Sequence, residues 1–249
     1  MNTLEKCVRI LTLFGEGRPV LAVTEIARLL DLPKSTAYRY VSALREYGLV
    51  EEDAKSGGYR LGGKLLELAG TVRRHGLLEI ALPVMERLSL ETGETVILAG
   101  LHERKGICLE RVEGHHALRV SHERGAVFPL HAGTSGKVLL AYLPPAEQEP
   151  IIAEGLPRFS ETTITDPRKL RAELEQIRSQ GYAESNGEVI PHTYGLGAPI
   201  FASNGRIQAA LTVSAPVERL NEKGKKAMVR RIVDAAAEIT KRLAVYDAK

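Results

Sequence analysis

A chain of 249 residues with 44% hydrophobic content suits one large folded domain or two modest ones; it holds no run of about 18 apolar residues to span a bilayer, and MNTLEKCVRI lacks the apolar core of a signal peptide. A cytoplasmic protein with no membrane partner is therefore expected, and two cysteines, Cys7 and Cys108, far apart and in no ligand spacing, imply neither a disulfide scaffold nor a cysteine zinc site. The net charge of +3 lies in the first 75 residues, which hold twelve Lys or Arg against nine Asp or Glu, while the remainder is balanced at twenty-two of each.

The apolar residues Leu4, Val8 and Leu11, with Ile10 and Phe14, mark a first amphipathic helix that ends at the turn of Gly15 and Gly17. VTEIARLLDLPKSTAYRYVSALREYGLV then predicts a helix over 24–30 with Thr24 as N-cap, a tight turn, and a second helix over 33–48. Ala37, Val41 and Leu44 supply the core-facing stripe of that second helix. Pro33 suits its first turn, where a missing N–H costs nothing, and Gly48 is a natural stop. Its first two turns crowd Lys34, Ser35, Thr36, Tyr38, Arg39 and Tyr40 together, with Tyr40 extending the apolar side. LVEEDAKSGGYRL follows as two short strands around a turn at 55–58, the pattern of a wing.

GGKLLELAGTVRRHG, residues 62–76, reads as a connecting helix and places a domain boundary. The expected domains are thus a winged helix-turn-helix over 1–61, a linker helix over 62–76 and a second domain over 77–249. LLEIALPVMERLSLETG predicts a longer helix, and ETVILAGLHE, GICLERVEG and HALRVSHE predict strands. HAGTSGKVLLAYLP passes from a small-residue loop into a helix, PAEQEPIIAEG adds a short one, and DPRKLRAELEQIRSQG a longer one opened by Asp166 and Pro167. Strands TYGLGAPIFA and GRIQAALTVSAP flank the 203–205 turn, and a last helix spans about 221–246. Strands and helices are segregated rather than alternating, so the second domain is α+β.

Four stretches in this order, EKCVRILTLF, TEIARLLDLPKSTAYRYVSALREYGLVE with YRLGGKLLELA, HAGTSGKVLLAYLP, and GYAESNGEVIPHTYGLGAPIFASNGRIQAALTVSAP, resemble the IclR family of transcriptional regulators over nearly the whole length. The resemblance implies a GAF-like α+β effector-binding domain, a small organic acid as effector, control of a catabolic operon, and a homodimer or homotetramer. It implies no cofactor.

A recognition helix lies in the major groove of double-stranded operator DNA with its N-terminal residues at base edges. Ser35, Thr36 and Arg39 share the outward side of the first two turns, with Tyr38 at its margin. Arg39 is the candidate for a bidentate guanine contact, and Lys34 and Ser35 are candidates for phosphate. In the wing, Lys55 and Arg60 are the candidates for phosphate or the minor groove, beside the opposing charges of Glu51, Glu52 and Asp53.

For the effector, the resemblance places the ligand between the start of the HAGTSGK helix and facing strands. Thr134 and Ser135 would present N–H groups and hydroxyls to a carboxylate, and Thr212 and Ser214, two apart on a strand, would turn both hydroxyls to one face. Ser185 stands where family members that bind small oxoacids carry an aspartate, Gly195 where they carry a cysteine, and His192 where a glycine is usual. The first two replacements are expected to enlarge the site or remove charge from it and the third to add a donor, which points to an organic acid larger than glyoxylate, aromatic acids included.

Two other classes compete. An enzyme would use His131 and Ser135, but Gly-Thr-Ser-Gly lacks the G-x-S-x-G spacing and a third member, so no catalytic residue is assigned. A metal-sensing winged-helix regulator would use His102, His115, His116, His122 or His192, which form no H-x-x-x-H or carboxylate-bracketed pattern, so no metal ligand is assigned.

Overall fold

The computed structural model describes residues 2–15, 17–71, 76–116, 123–219 and 222–247. The chain divides into two compact units, Met1–Arg73 and Arg74–Lys249.

In the first unit, α1 (Thr3–Leu11) is capped by the Asn2 side chain, which accepts from Glu5 N at 2.8 Å. It packs with α2 (Val23–Leu29) and α3 (Lys34–Glu46) around Ile10, Leu21, Ile26, Ala37, Tyr40, Val41 and Leu44. Burial of each large side chain of this kind contributes about 1.5–3 kcal/mol. The stripe expected on α1 needs correcting: Ile10 is fully buried, whereas Leu4 is 72% and Val8 49% exposed. Phe14 reaches the core from beyond the helix, which stops at Leu11.

Helix α2 begins at Val23 with Ala22 as N-cap and no side-chain cap, so Thr24 lies inside the helix. Pro33 is likewise the N-cap of α3 rather than its first residue, because its ψ of 140° is extended. Gly48, at φ 68°, turns the chain out of α3 as expected. Strands β1 (Val50–Glu52) and β2 (Tyr59–Leu61) pair antiparallel, with Glu51 opposite Arg60. Between them Asp53 accepts from the backbone N and hydroxyl of Ser56, and these bonds hold its carboxyl below the usual range. Helix α4 (Lys64–Thr71) starts two residues later than expected, and 72–75 lie outside the described residues.

The second unit is built on one antiparallel sheet in the order β5-β4-β3-β8-β7-β6. Its strands are β3 (Thr95–His102), β4 (Lys105–Val112), β5 (Val127–Phe128), β6 (Ala183–Asn186), β7 (Thr193–Phe201) and β8 (Ile207–Pro216). Helices α5 (Leu77–Thr92) and α9 (Glu222–Asp247) cover one face through Met85, Leu88, Ile232, Ile239 and Leu243. Helices α6 (Thr134–Ala141), α7 (Pro145–Ala153) and α8 (Pro167–Gln180) cover the other through Leu139, Leu140, Ile152, Leu170 and Leu174. The result is a three-layer α+β unit.

Asp166 caps α8 by accepting from Arg168 N at 2.7 Å, as its position before Pro167 suggested. The strand expected in HALRVSHE falls mostly on 117–122, outside the described residues. Strands β5 and β6 were not anticipated; with two and four residues, they are too short to show a period.

Candidate functional site

On α3 the buried side is Ala37, Tyr40, Val41 and Leu44, which leaves Lys34, Ser35, Tyr38 and Arg39 exposed and Thr36 half-buried. Ser35, Tyr38 and Arg39 are thereby on the solvent side, three and four residues apart. Arg39 leans back on its neighbour: its guanidinium lies 5.2 Å from the Tyr40 ring centre and donates to the Tyr40 hydroxyl at 3.5 Å. Hydrogen bonds from Thr3, then Arg39, hold that phenol below its ordinary range. Lys55 stands exposed at the wing turn. Arg60 is engaged by Glu51 at 2.8 Å, and Arg45 of α3 meets Glu52 at 3.4 Å.

In the second unit the sheet register explains how distant residues meet. Ser185, Gly195 and Ser214 are successive partners across β6, β7 and β8. Gly197, Thr212 and Ile97 are partners across β7, β8 and β3, one step along. Side chains two apart on a strand share a face, so both rows look toward the start of α6. Thr134, Ser135, Ser185, Gly195, Thr212 and Ser214 line one cavity of about 60 Å³. On a scale where one water needs about 10–15 Å³, that holds several heavy atoms. Ile97, Phe128, Val189 and Ile190 give the cavity an apolar side.

Polar groups at the cavity are few and placed. Ser135 Oγ lies 2.8 Å from Thr212 Oγ1. Thr134 is 5% exposed, and its Oγ1, packed against Gly195, has no hydrogen-bond partner among the described residues. An unsatisfied hydroxyl of this kind costs about 1–3 kcal/mol, so its retention calls for a reason. Among the described residues no side chain caps the first-turn N–H groups of α6, which carry the positive end of the helix dipole to the cavity.

Two expectations need correction. A Cβ on Gly195 would stand 2.2 Å from Thr134 Oγ1, and one on Gly197 2.6 Å from Thr134 Cγ2. The room freed at Gly195 is thus filled by Thr134 and does not enlarge the site. His192 lies outside the cavity: its side chain is 86% exposed and 4.0 Å from Glu218, at a residue whose φ is 60°.

Sequence reasoning missed Lys137. Its Nζ, almost fully buried, donates to Glu188 Oε1 at 2.6 Å, Glu173 Oε1 at 2.6 Å and the Glu184 carbonyl at 2.8 Å. The other oxygen of Glu188 accepts from Gly133 N at 3.1 Å, at the very start of α6. Ser160 and Thr163 hydroxyls donate to the Glu188 carbonyl at 3.1 and 2.6 Å. The segment that carries Val189 and Ile190 into the cavity wall is therefore tied to α6 and to the 160–163 loop. The lysine sits within HAGTSGK itself, where a cation on an apolar helix face was the available signal.

His131 is 4% exposed, and its Nε2 is 3.0 Å from the Pro157 carbonyl. His102, His115 and His116 are exposed, and His122 lies outside the described residues. Among the described residues no group of three or more His, Cys, Asp or Glu could hold a metal ion. Cys108 is buried, which pushes its thiol up to about 11. Among the described residues, no helix is long and apolar enough to cross a membrane.

A winged helix-turn-helix followed by a separate α+β unit with a small, largely apolar cavity that carries a few hydroxyls fits a regulator class in which one domain reads DNA and the other senses a ligand. The family described as IclR helix-turn-helix domain matches residues 3–54, and bacterial transcriptional regulator IclR C-terminal matches 69–241. The chain belongs to the IclR family of ligand-responsive transcriptional regulators. It is 34% identical over 242 residues to the HTH-type transcriptional regulator BhcR of Paracoccus denitrificans, covering 96% of this chain and 86% of that protein. It is 33% identical to KipR of Bacillus subtilis, covering 97% of each. A crystal structure of an IclR homologue from Microbacterium hydrocarbonoxydans, complexed with 4-hydroxybenzoate, superposes with a TM-score of 0.88 at 31% identity, covering 98% of this chain and 100% of the other.

Proposed function

We propose that the protein binds operator DNA through α3 and the wing and releases or tightens its grip when an organic acid enters the α6 cavity. Arg39 reads a base, Lys34 and Ser35 hold phosphate, and Thr36 and Tyr38 complete the groove-facing surface. Lys55 and Arg60 extend the contact through the wing. The functional divisions are 1–61 for DNA, 62–76 as linker and 77–249 for the effector. A homodimer or homotetramer in the cytoplasm is the working form, since one short recognition helix reads only a few base pairs.

The observation that carries the effector reading is the meeting of Thr134, Ser135, Thr212 and Ser214 in one cavity at the start of α6. A carboxylate meets hydroxyls and N–H groups there, while Phe128, Ile97, Val189 and Ile190 suit an aromatic or aliphatic body. The 4-hydroxybenzoate bound by the Microbacterium homologue supports an aromatic acid. A catalytic reading has less behind it: His131 is held by Pro157 and Ser135 by Thr212, and neither contact pairs the serine with a base.

Thermal denaturation against a panel of short oxoacids, benzoate and 4-hydroxybenzoate tests the assignment. A ligand at 100 times its dissociation constant stabilises by about 2.7 kcal/mol, so at least one carboxylate should raise the melting temperature. A panel without any stabiliser would count against a carboxylate effector.

A further inference from the structure

We propose that Glu51 is a specificity-determining residue of the wing that holds Arg60 off the DNA phosphates and so restrains sequence-independent binding. The inference rests on the reading of the wing as a DNA-contacting element.

Glu51 and Arg60 are direct cross-strand partners on β1 and β2, and Nε and a terminal nitrogen of Arg60 both lie 2.8 Å from one Glu51 oxygen. The other wing carboxylates are occupied elsewhere: Glu52 pairs with Arg45, and Asp53 accepts twice from Ser56. Glu51 is thus the acid that makes an ion pair with Arg60. Both side chains remain about half exposed, at 47% and 53%. Exposed pairs of this kind are weak, so a phosphate brought to the wing competes for the guanidinium. Sequence-independent affinity comes from such phosphate contacts, each adding about 0.9 to the slope of log affinity against log salt. With Glu51 present, Arg60 contributes only where the DNA fits well enough to displace the carboxylate. Without it, Arg60 is available to any duplex.

The test is a double-mutant cycle on the full-length protein with a random-sequence 30-base-pair duplex as probe, titrated at several salt concentrations. Glu51→Gln keeps the side-chain shape at a half-exposed position. It is expected to tighten binding to the random duplex and to steepen the salt slope by up to about 0.9, the limit set by one added phosphate contact. In the Arg60→Ala background the same substitution is expected to change neither quantity. A gain that persists without Arg60 would reduce Glu51 to a general field effect and overturn the inference, as would the absence of any gain in the wild-type background. Lys55→Ala provides the control on the wing itself: weaker binding supports DNA contact there. Unchanged binding would remove the wing from the interface, and the inference with it.

Discussion

Lys137 and Glu188 form an ion pair at 2.6 Å in which both side chains are more than nine-tenths buried. The same carboxylate receives the N–H of Gly133, so a single acid fixes the start of α6 and the wall segment beside it. Removing one member of a buried pair leaves the other charge uncompensated, at a cost of about 3–5 kcal/mol. Lys137→Met is expected to lose that much stability in denaturant unfolding of the second unit. Lys137→Met combined with Glu188→Gln should recover part of the loss, and a double variant as unstable as the sum of the singles would show that the two do not act together.

Thr134 and Gly195 should be coupled as tightly, by shape rather than charge. A methyl group at Gly195 would fall 2.2 Å from Thr134 Oγ1, too close for either to stay. Gly195→Ala is expected to destabilise by about 1–3 kcal/mol, the range for overpacking. Adding Thr134→Ala removes the obstructing hydroxyl and should restore most of the melting temperature. If Gly195→Ala alone proved neutral, Thr134 would not be seated on the sheet as described.

On the DNA side, Arg39 and Lys34 should respond differently to truncation. Arg39→Ala is expected to relax base preference at one operator position and to cost about 1–3 kcal/mol there. Lys34→Ala should weaken binding evenly across sequences and lower the salt slope by about one. Binding selections from random duplexes separate the two, and an unaltered base preference in Arg39→Ala would remove it from base readout. Because Arg39 rests on Tyr40 in the free protein, Tyr40→Phe should leave base preference intact while loosening that resting position.

The helices that bear the site were legible because their signals are local. The polar crowding at the start of α3, Gly48 after it and Asp166 before α8 each act within one or two turns. The effector cavity was legible only in part. Thr134, Ser135, Thr212 and Ser214 could be named, yet what brings them together is the register of four strands, a non-local property. The same register hid the fit of Thr134 against Gly195 and Gly197, so that a missing side chain read as added space. Lys137 escaped because a charge amid apolar residues signals burial only when its partners are known, and Glu173 and Glu188 lie far along the chain. Leu4 and Val8 satisfied the helical period but not the burial, since Ile10 and Phe14 already fill the core behind α1.

In the proposed function one cavity, walled by α6 and β8, sets the affinity for DNA. By linkage, a ligand that alters operator affinity has its own affinity altered by the same factor when DNA is bound. Ser214 lines the cavity in the second unit, and losing its hydroxyl should cost about 0.5–3 kcal/mol of ligand affinity. The direct measurement titrates the panel's best stabiliser into operator-bound protein, wild type and Ser214→Ala. A midpoint shifted to higher concentration, roughly tenfold for each 1.4 kcal/mol, with operator affinity unchanged in the absence of ligand, is the predicted result. An unchanged midpoint would contradict the account, because it would place the effector away from this cavity.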